Sequence, residues 1–109
     1  MSFDKNTYVL SLGGSLVVPN GGLDTNFLIA FNQFIRNQVS SKKRRFFIVV
    51  GGGKTTRNYQ NAARLVKGEK IENIDLDWIG IHVTRLNAQL VRTIFRDIAD
   101  PRVIKHYEI

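Results

Sequence analysis

The stretch FFIVVGGGKTTR, residues 46–57, decides the fold. Its first five residues are all aromatic or β-branched, which is too short a run for a helix and typical of a strand buried on both faces of a parallel sheet. Three glycines follow, and apolar residues between Tyr59 and Val66 then recur at helical spacing. A strand, a glycine turn and a helix bring bare backbone N–H groups to a helix N-terminus, where an anion is favoured. The stretch therefore predicts a phosphate site.

Two cations beside this turn support the prediction. Lys54 and Arg57 fall in or beside the first turn of the helix, where the macrodipole disfavours positive charge. A phosphate bound between them and the amides would remove that conflict. The segment is not a Walker P-loop, because that pattern requires a glycine where this chain has Ile48. Taken alone, the turn is equally compatible with a purely structural role.

A second glycine turn follows another predicted strand. Residues 8–12 read as a strand, and Gly13, Gly14 and Ser15 come directly after it. Because parallel strands end at the same edge of a sheet, where open α/β folds bind ligands, we expect both turns to lie there. Glycines let a phosphate chain approach the backbone, and the Ser15 hydroxyl can donate to it. The structural alternative is that Gly13 and Gly14 only let the chain reverse; the two turns together favour the phosphate site.

The predicted helices complete an open, mainly parallel sheet in a three-layer α/β/α sandwich. Asp24 or Thr25 is expected to cap the first long helix, which crosses over to the second strand. Its predicted apolar stripe consists of Phe27, Leu28, Phe31, Phe34, Ile35 and Val39. Only two strands are predicted with residues 103–109 starting a third, whereas open sheets average about five or six. We therefore expect the chain to be part of a larger domain.

The last predicted helix, from about Asp77 to Ala99, is apolar around more than half of its circumference. One predicted stripe, expected to cover the sheet, contains Ile79, Val83, Leu86, Leu90 and Ile94. Val91, Phe95 and Ile98 are expected to point away from that stripe. Such a second apolar surface predicts contact with another part of the protein or with a second subunit.

Composition narrows the class of protein. The chain has 109 residues, a formal net charge of +7 and no cysteine. This length fits one domain, and the lack of cysteine excludes disulfides, zinc thiolate sites and thiol catalysis. No apolar run has the length of a membrane span, and the N-terminus lacks the apolar region of a signal peptide. We therefore expect a cytoplasmic protein that does not interact with membranes.

The densest charge run is Lys-Lys-Arg-Arg at residues 42–45, between the first long helix and the second strand. Such a run is usually a solvated loop, and a basic balance also suits a protein that handles polyphosphates. No aromatic residues interleave with it, which disfavours a groove for single-stranded nucleic acid.

Three blocks resemble the amino acid kinase superfamily and, within it, the archaeal-type uridylate (UMP) kinases. They are LSLGGS at residues 10–15, VVGGGK at 49–54 with Arg57, and DWIGIHVTRLNA at 77–88. The order D-x-x-G-I-x-x-T-R-x-N-A in the last block is the most specific. The resemblance implies the amino acid kinase fold, with residues 1–109 as its amino-terminal, UMP- and phosphate-binding part and the carboxy-terminal ATP lobe absent.

The resemblance implies ATP-dependent phosphorylation of UMP to UDP in pyrimidine nucleotide biosynthesis, with Mg²⁺ accompanying ATP, in a homo-oligomer (dimer or hexamer) formed through the last helix. It places the ATP phosphates at Gly13, Gly14, Ser15, Gly53 and Arg57, and UMP at Gly52 and Asp77. No catalytic residue or protein metal ligand is assigned. One departure is Ser11, where bacterial members carry a lysine. Because the ATP lobe is missing, the chain alone is expected to be inactive.

Alternatives remain open for the function and for single residues. The function could instead be that of a related small-molecule kinase, or of a non-catalytic module that binds nucleotides or nucleic acid. Asp77 read without the resemblance is typical of a helix N-cap, and Trp78 is expected in the core. His82 and His106 lack metal-ligand spacing. Arg85 and Asn87 lie in the specific block but are assigned no substrate contact.

Overall fold

The computed structural model describes residues 6–18 and 22–99. Its strands are β1 (Thr7–Leu12) and β2 (Arg45–Val50), and its helices are α1 (Gly14–Val17), α2 (Thr25–Lys42), α3 (Gly53–Lys67) and α4 (Asn73–Ile94), with a 3-10 helix at Gly68–Lys70. The strands pair in parallel, with Thr7 opposite Arg45 and Leu12 opposite Val50. The predicted parallel α/β architecture is confirmed. The predicted third strand at 103–109 and the Ser15 side chain lie outside the described part.

Helix α2 connects the two strands and begins where a side chain caps it. The Asp24 carboxylate accepts a hydrogen bond of 2.9 Å from the Phe27 amide, which satisfies one of the free N–H groups of the first turn. The helix ends at Lys42, and Lys43 follows in a left-handed conformation with φ of 56° while its amide donates to the Gln38 carbonyl. Of the two residues predicted as alternatives for the N-cap, Asp24 is the one that caps the helix, and Thr25 is its first residue.

The core lies between one face of the sheet, α2 and the end of α4. Successive side chains of a strand point to opposite faces, and Leu12 and Val50 carry the buried face of the sheet. The other buried members of this cluster are Val17, Val18, Leu28, Ile35, Val91 and Phe95. The predicted stripe of α2 packs here except for Phe34, which is 53% exposed. Phe34 lies one position away from the buried Ile35 and therefore at the edge of the stripe.

The opposite face of the sheet differs from the prediction. Among the described residues, Val9 and Val49 remain 56% and 54% exposed. They belong to the alternate set of side chains, on the side away from α2. The predicted burial of β2 on both faces is therefore not seen within residues 6–18 and 22–99.

The start and the phase of α4 also correct the prediction. The helix begins at Asn73, about one turn before the predicted start, so Asp77 lies inside it and is not its N-cap. Val91 and Phe95 are each 5% exposed in the core, whereas Leu86, expected to cover the sheet, is 66% exposed. Only Ile98, at 47%, keeps the predicted exposure. Asn87 lies on the buried face of α4. Because this residue is polar, the apolar periodicity of the sequence indicated a different face of the helix.

An ion pair fixes the end of α4 against α2. The Arg36 Nη1 and Nη2 atoms donate to the two carboxylate oxygens of Asp97 at 2.7 and 2.8 Å. Nη2 also donates to the Ile94 carbonyl at 2.9 Å, and the guanidinium carbon lies 5.6 Å from the centre of the Phe95 ring. These hydrogen bonds from Arg36 lower the pKa of Asp97 to about 2.

Across the described part of the chain, the helices are too short or too polar to cross a membrane.

Candidate functional site

The two glycine turns meet at the carboxyl edge of the sheet. The Gly51 amide donates to the Leu12 carbonyl at 3.2 Å, which continues the strand pairing to the ends of both strands. A Cβ atom on Gly14 would lie 2.0 Å from the Gly53 nitrogen, and one on Gly53 would lie 2.5 Å from the Gly14 oxygen. The two backbones are thus in direct contact, and a side chain at either position would overlap the other turn. The structure places both turns together, as the sequence predicted.

Within the second turn, Gly53 and Gly52 are required for different reasons. Gly53 has φ of +64°, a left-handed conformation that L side chains rarely adopt. At Gly52 the restriction is space, because a Cβ atom there would lie 1.9 Å from Thr56 Oγ1 and 3.4 Å from Thr84 Oγ1. The turn therefore disfavours a side chain at Gly53, and at Gly52 a side chain would require the Thr56 hydroxyl to move.

The electrostatics of this edge favour an anion. Helix α3 begins at Gly53, has no acidic residue in its first turn and no side-chain cap at Gly52. The first amides of a helix have no intrahelical partners, and they form the positive end of its macrodipole. Lys54 and Arg57 are exposed at this end of the helix. Amides and cations without a nearby carboxylate form a donor set for a phosphate or a carboxylate ligand.

One stripe of α4 packs against the second turn and against α3. A Cβ atom on Gly80 would touch Thr56 Cγ2 at 3.5 Å, so the glycine lets the two helices approach closely. The Gln60 side-chain amide donates to the Leu76 carbonyl at 2.9 Å across the same contact. Further along α4, Asn87 Nδ2 lies 3.0 Å from the Gly51 oxygen and 3.3 Å from the Gly52 oxygen. The specific block of the sequence is thus, in part, the surface that supports the glycine turn.

Asn87 supports the glycine turn, and the sequence analysis gave it no role. It is 5% exposed and lies between the buried Val83 and Val91 on α4. The sequence contained a signal for it, since Asn87 lies four residues from an apolar residue on either side. A buried amide needs hydrogen-bond partners, so its place in an apolar stripe indicates a specific contact. The partners could not be read from the sequence, since they are backbone carbonyls of a distant turn.

The structure places Asp77 apart from the glycine turns. Asp77, Gly80, Thr84 and Asn87 follow one another at helical spacing, so they share one side of α4. Asp77 is exposed, and ten residues of helix put its backbone about 15 Å from that of Asn87 along the axis. Trp78, expected in the core, is 48% exposed, and its ring centre lies 5.9 Å from that of His82.

The remaining candidates do not join the site. Within the described residues, no group of three or more histidine, aspartate or glutamate side chains could hold a metal ion. His106 lies outside the described residues. The basic run at 42–45 leads into the first residue of β2, at the strand end opposite to the glycine turns, and the Arg44 guanidinium packs over the Tyr8 ring at 5.4 Å. Its charge is therefore not part of the candidate phosphate site.

Two parallel strands whose glycine turns meet beside a helix N-terminus are the arrangement of α/β proteins that bind phosphate groups. Residues 6–101 match the amino acid kinase family. Because this match covers most of the chain, the protein belongs to that family. The predicted fold class, the amino-terminal part of the amino acid kinase fold, is confirmed.

Relatives within the family agree with the resemblance to archaeal uridylate kinases. The chain is 37% identical over 99 residues to the uridylate kinase of Methanosarcina barkeri, and 38% identical over 100 residues to that of Halobacterium salinarum. These alignments cover 91% and 92% of this chain but only 40% and 39% of the relatives. The crystal structure of uridylate kinase from Archaeoglobus fulgidus superposes with a TM-score of 0.63 at 36% identity, over 82% of this chain and 37% of that one. The chain thus spans about two fifths of the length of these relatives.

Proposed function

We propose that this member of the amino acid kinase family is the amino-terminal, phosphate-binding part of a uridylate kinase, which transfers the γ-phosphoryl group of ATP to UMP and forms UDP. The observation that carries the proposal is the backbone contact between Gly14 and Gly53 at the N-terminus of α3. Both substrates are phosphate esters, and phosphoryl transfer depends chiefly on positioned donors that stabilise the charge of the transferring group. Relatives named uridylate kinase support UMP as the acceptor.

The proposed contacts are those that the resemblance implies. In the proposal, Gly13, Gly14, Ser15, Gly53 and Arg57 bind the ATP phosphates, and Gly52 and Asp77 bind UMP. Bare glycines at the contact between the turns leave the backbone amides accessible to phosphate oxygens. Arg57 adds charge-assisted hydrogen bonds, which are about twice as strong as those between neutral groups. The exposed carboxylate of Asp77 is suited to accept hydrogen bonds from the hydroxyls of a ribose.

In the proposal, the described residues bind and orient phosphates, and the reaction requires no protein nucleophile. The donor set of the glycine turns does not fit a metal cation, since it consists of amides and positively charged side chains. Mg²⁺ in the proposal therefore arrives with ATP and is held by the phosphate oxygens of the nucleotide, as is common for this ion. No step of the transfer is assigned to it here.

Turnover is proposed to need more protein than these 109 residues. The relatives are about two and a half times as long as the aligned segment, since the match covers 40% of their length. The resemblance assigns the ATP lobe to the remainder. Because positioning contributes much of the rate enhancement of phosphoryl transfer, the chain alone is expected to bind phosphates without forming UDP at a measurable rate.

The homo-oligomer also remains a proposal, but the structure changes the surface that could form it. Val91 and Phe95 are in the core and cannot contact a second copy. Exposed apolar side chains of α4 lie instead at Ile74, Trp78 and Ile81, which are 59%, 48% and 38% exposed. Sedimentation of the Trp78→Asp protein measures this surface: a dimeric wild type and a monomeric variant support it, and equal mass for both contradicts it.

The central experiment compares two arginines on the same face of α3. In a version extended to the length of the relatives, Arg57→Ala should cost about 2–4 kcal/mol in kcat/KM for UMP, because a charge-assisted donor is removed from the transferring phosphoryl. Arg64→Ala removes an equal charge two turns further along, from an exposed side chain that hydrogen-bonds Asn61, and should change kcat/KM little. Equal losses would indicate a general effect of charge. An unchanged kcat/KM with a lower melting temperature would make Arg57 structural.

Parallel assays decide between the functional alternatives. UDP formation by the extended protein, with ATP as donor and UMP preferred over other acceptors, supports the proposal. Preference for another acceptor would indicate a related small-molecule kinase. Nucleotide binding without turnover in the extended protein would indicate a non-catalytic module.

A further inference from the structure

Asn87 is a buried polar side chain among the described residues. The hydrogen-bond partners that a buried amide needs are supplied by the glycine turn. The neighbouring buried positions of α4 are Leu76, Val83 and Val91. A buried amide without partners is costly, whereas an apolar side chain of similar volume would suit this face. Both recorded hydrogen bonds of the Asn87 amide go to the turn, to the oxygens of Gly51 and Gly52.

These two hydrogen bonds determine which way the amides of the turn face. In a trans peptide the C=O and the following N–H point in opposite directions, and the described chain contains no cis peptide bond. Holding the Gly51 and Gly52 oxygens on α4 therefore turns the N–H groups of Gly52 and Gly53 away from α4. Glycine peptides would otherwise rotate readily, since glycine has the widest choice of backbone conformations.

We propose that Asn87 is a positioning residue that presets the glycine turn for a phosphate before any ligand arrives. The inference rests on the proposed function, in which this turn binds phosphate groups. Asn87 itself does not touch the ligand. It removes the need to order the turn during binding, and such preorganisation strengthens binding and the stabilisation of developing charge.

The test uses the 109-residue chain and two truncations on the same buried face, Asn87→Ala and Val91→Ala. The first readout is nitrogen-15 relaxation of the Gly52 and Gly53 amides in the ligand-free protein. The second is the Kd for pyrophosphate. Asn87→Ala should increase the fast motion of these two amides and raise the Kd roughly tenfold, as expected for the loss of two hydrogen bonds that order the site. Val91→Ala should lower stability and leave both readouts unchanged.

A second variant keeps the test decisive if the alanine protein does not fold. Asn87→Leu fills the space without donating hydrogen bonds, and it should show the same loose turn and weak pyrophosphate binding. Wild-type relaxation and a wild-type Kd in either Asn87 variant would overturn the inference. Equal effects in Val91→Ala would do the same, because Asn87 would then act only through packing.

The outcomes also separate this inference from the proposed function. If Asn87→Ala loosens the turn but the wild type binds neither pyrophosphate nor ATP, then Asn87 positions the turn and the phosphate assignment is wrong. If the wild type binds pyrophosphate and the variant binds it equally well with an ordered turn, the phosphate site stands and the role of Asn87 is wrong.

Discussion

Two segments of α4, residues 73–87 and residues 88–94, perform different tasks within one continuous helix. The first segment contacts the first turns of α3 and the glycine turn, through the close backbone approach at Gly80 and the hydrogen bonds of Asn87. In the second segment and directly after it, Val91 and Phe95 are each 5% exposed and pack in the core with residues of both strands. The first segment carries exposed side chains such as Trp78, whereas the end of the second is fixed by Arg36, which donates to the Ile94 carbonyl and pairs with Asp97.

This difference shows how a small core can hold a site at its edge. The second segment positions the helix against the sheet, and the first segment uses that fixed position to support the glycine turn. Stability and phosphate binding should therefore respond to different substitutions in the same helix. Three predictions test this separation.

The largest effect is expected from Phe95→Ala, in the core directly after α4. Removing a buried aromatic ring leaves a cavity and should lower the free energy of unfolding by about 3–5 kcal/mol. Leu86→Ala is the matched control, because that side chain is 66% exposed, and a surface substitution typically changes stability by less than about 0.5 kcal/mol. Urea unfolding at pH 7 measures both. A larger loss of stability for Leu86→Ala than for Phe95→Ala would indicate that α4 buries the face predicted from the sequence.

An intermediate effect on stability, with a large effect on binding, is expected from Gly53→Ala. The alanine would be strained at φ of +64° and would overlap the Gly14 oxygen. Backbone strain of this kind costs about 1–3 kcal/mol, and separation of the turns should abolish pyrophosphate binding.

Gly68→Ala is the control for Gly53→Ala. Gly68 also has a positive φ, of +72°, but among the described residues no atom beyond its immediate chain neighbours lies within 4 Å of the position that a Cβ atom would take there. This variant should lose stability through strain alone and keep the wild-type Kd for pyrophosphate. Calorimetric titration measures the Kd for pyrophosphate of both variants. A wild-type Kd for Gly53→Ala would show that ligand binding does not depend on the contact between the turns.

The smallest effect is expected from the ion pair at the end of α4. Hydrogen bonds from Arg36 hold the pKa of Asp97 at about 2, below its ordinary value of 3.8. A lowered pKa in the folded state means that the carboxylate stabilises the fold above about pH 4 and loses this contribution as the pH falls through 2. The pair is solvent-exposed, so water and salt screen it.

A pH series of urea unfolding with Asp97→Asn measures this contribution. The wild type should exceed the variant in stability at pH 6, and the difference should shrink between pH 4 and pH 2. Pyrophosphate affinity should be the same for both at pH 7, because the pair joins α2 to Asp97, after the end of α4, and its hydrogen bonds go to neither glycine turn. A difference in stability that persists unchanged at pH 2 would contradict the role of the ionised carboxylate.

Much of the fold could be predicted because its signals are local. The run at 46–50 is too short and too β-branched for a helix, and Asp24 precedes α2 as a capping side chain. The glycines that follow both strands predicted turns at one edge, since parallel pairing alone brings those ends together. Their direct contact, from Gly14 to Gly53, required the actual register of the strands.

The errors concern α4, where the local signals were weak or misleading. The helix starts after Glu72, which gives no side-chain cap, so the sequence marks no clear beginning. Its buried face includes Asn87. When a polar residue lies in the middle of the buried stripe, the apolar periodicity of the sequence favours a different stripe. The Arg36–Asp97 pair joins distant parts of the chain and leaves no periodic trace. For the candidate site, the sequence indicated the glycines but not the amide that supports them.

The contact between the two glycine turns also links ligand binding to the folding pathway. The turns meet only when β1 has paired with β2, which requires closure of the long crossover through α2. Such non-local pairing forms slowly and late compared with a single helix. A polyphosphate that spans both turns would bind the paired strands and not the open chain. It would therefore slow the separation of the two strands during unfolding. At a hundred times its Kd, a ligand of this kind adds about 2.7 kcal/mol to stability, and much of that gain should appear as slower opening of the parallel strand pair.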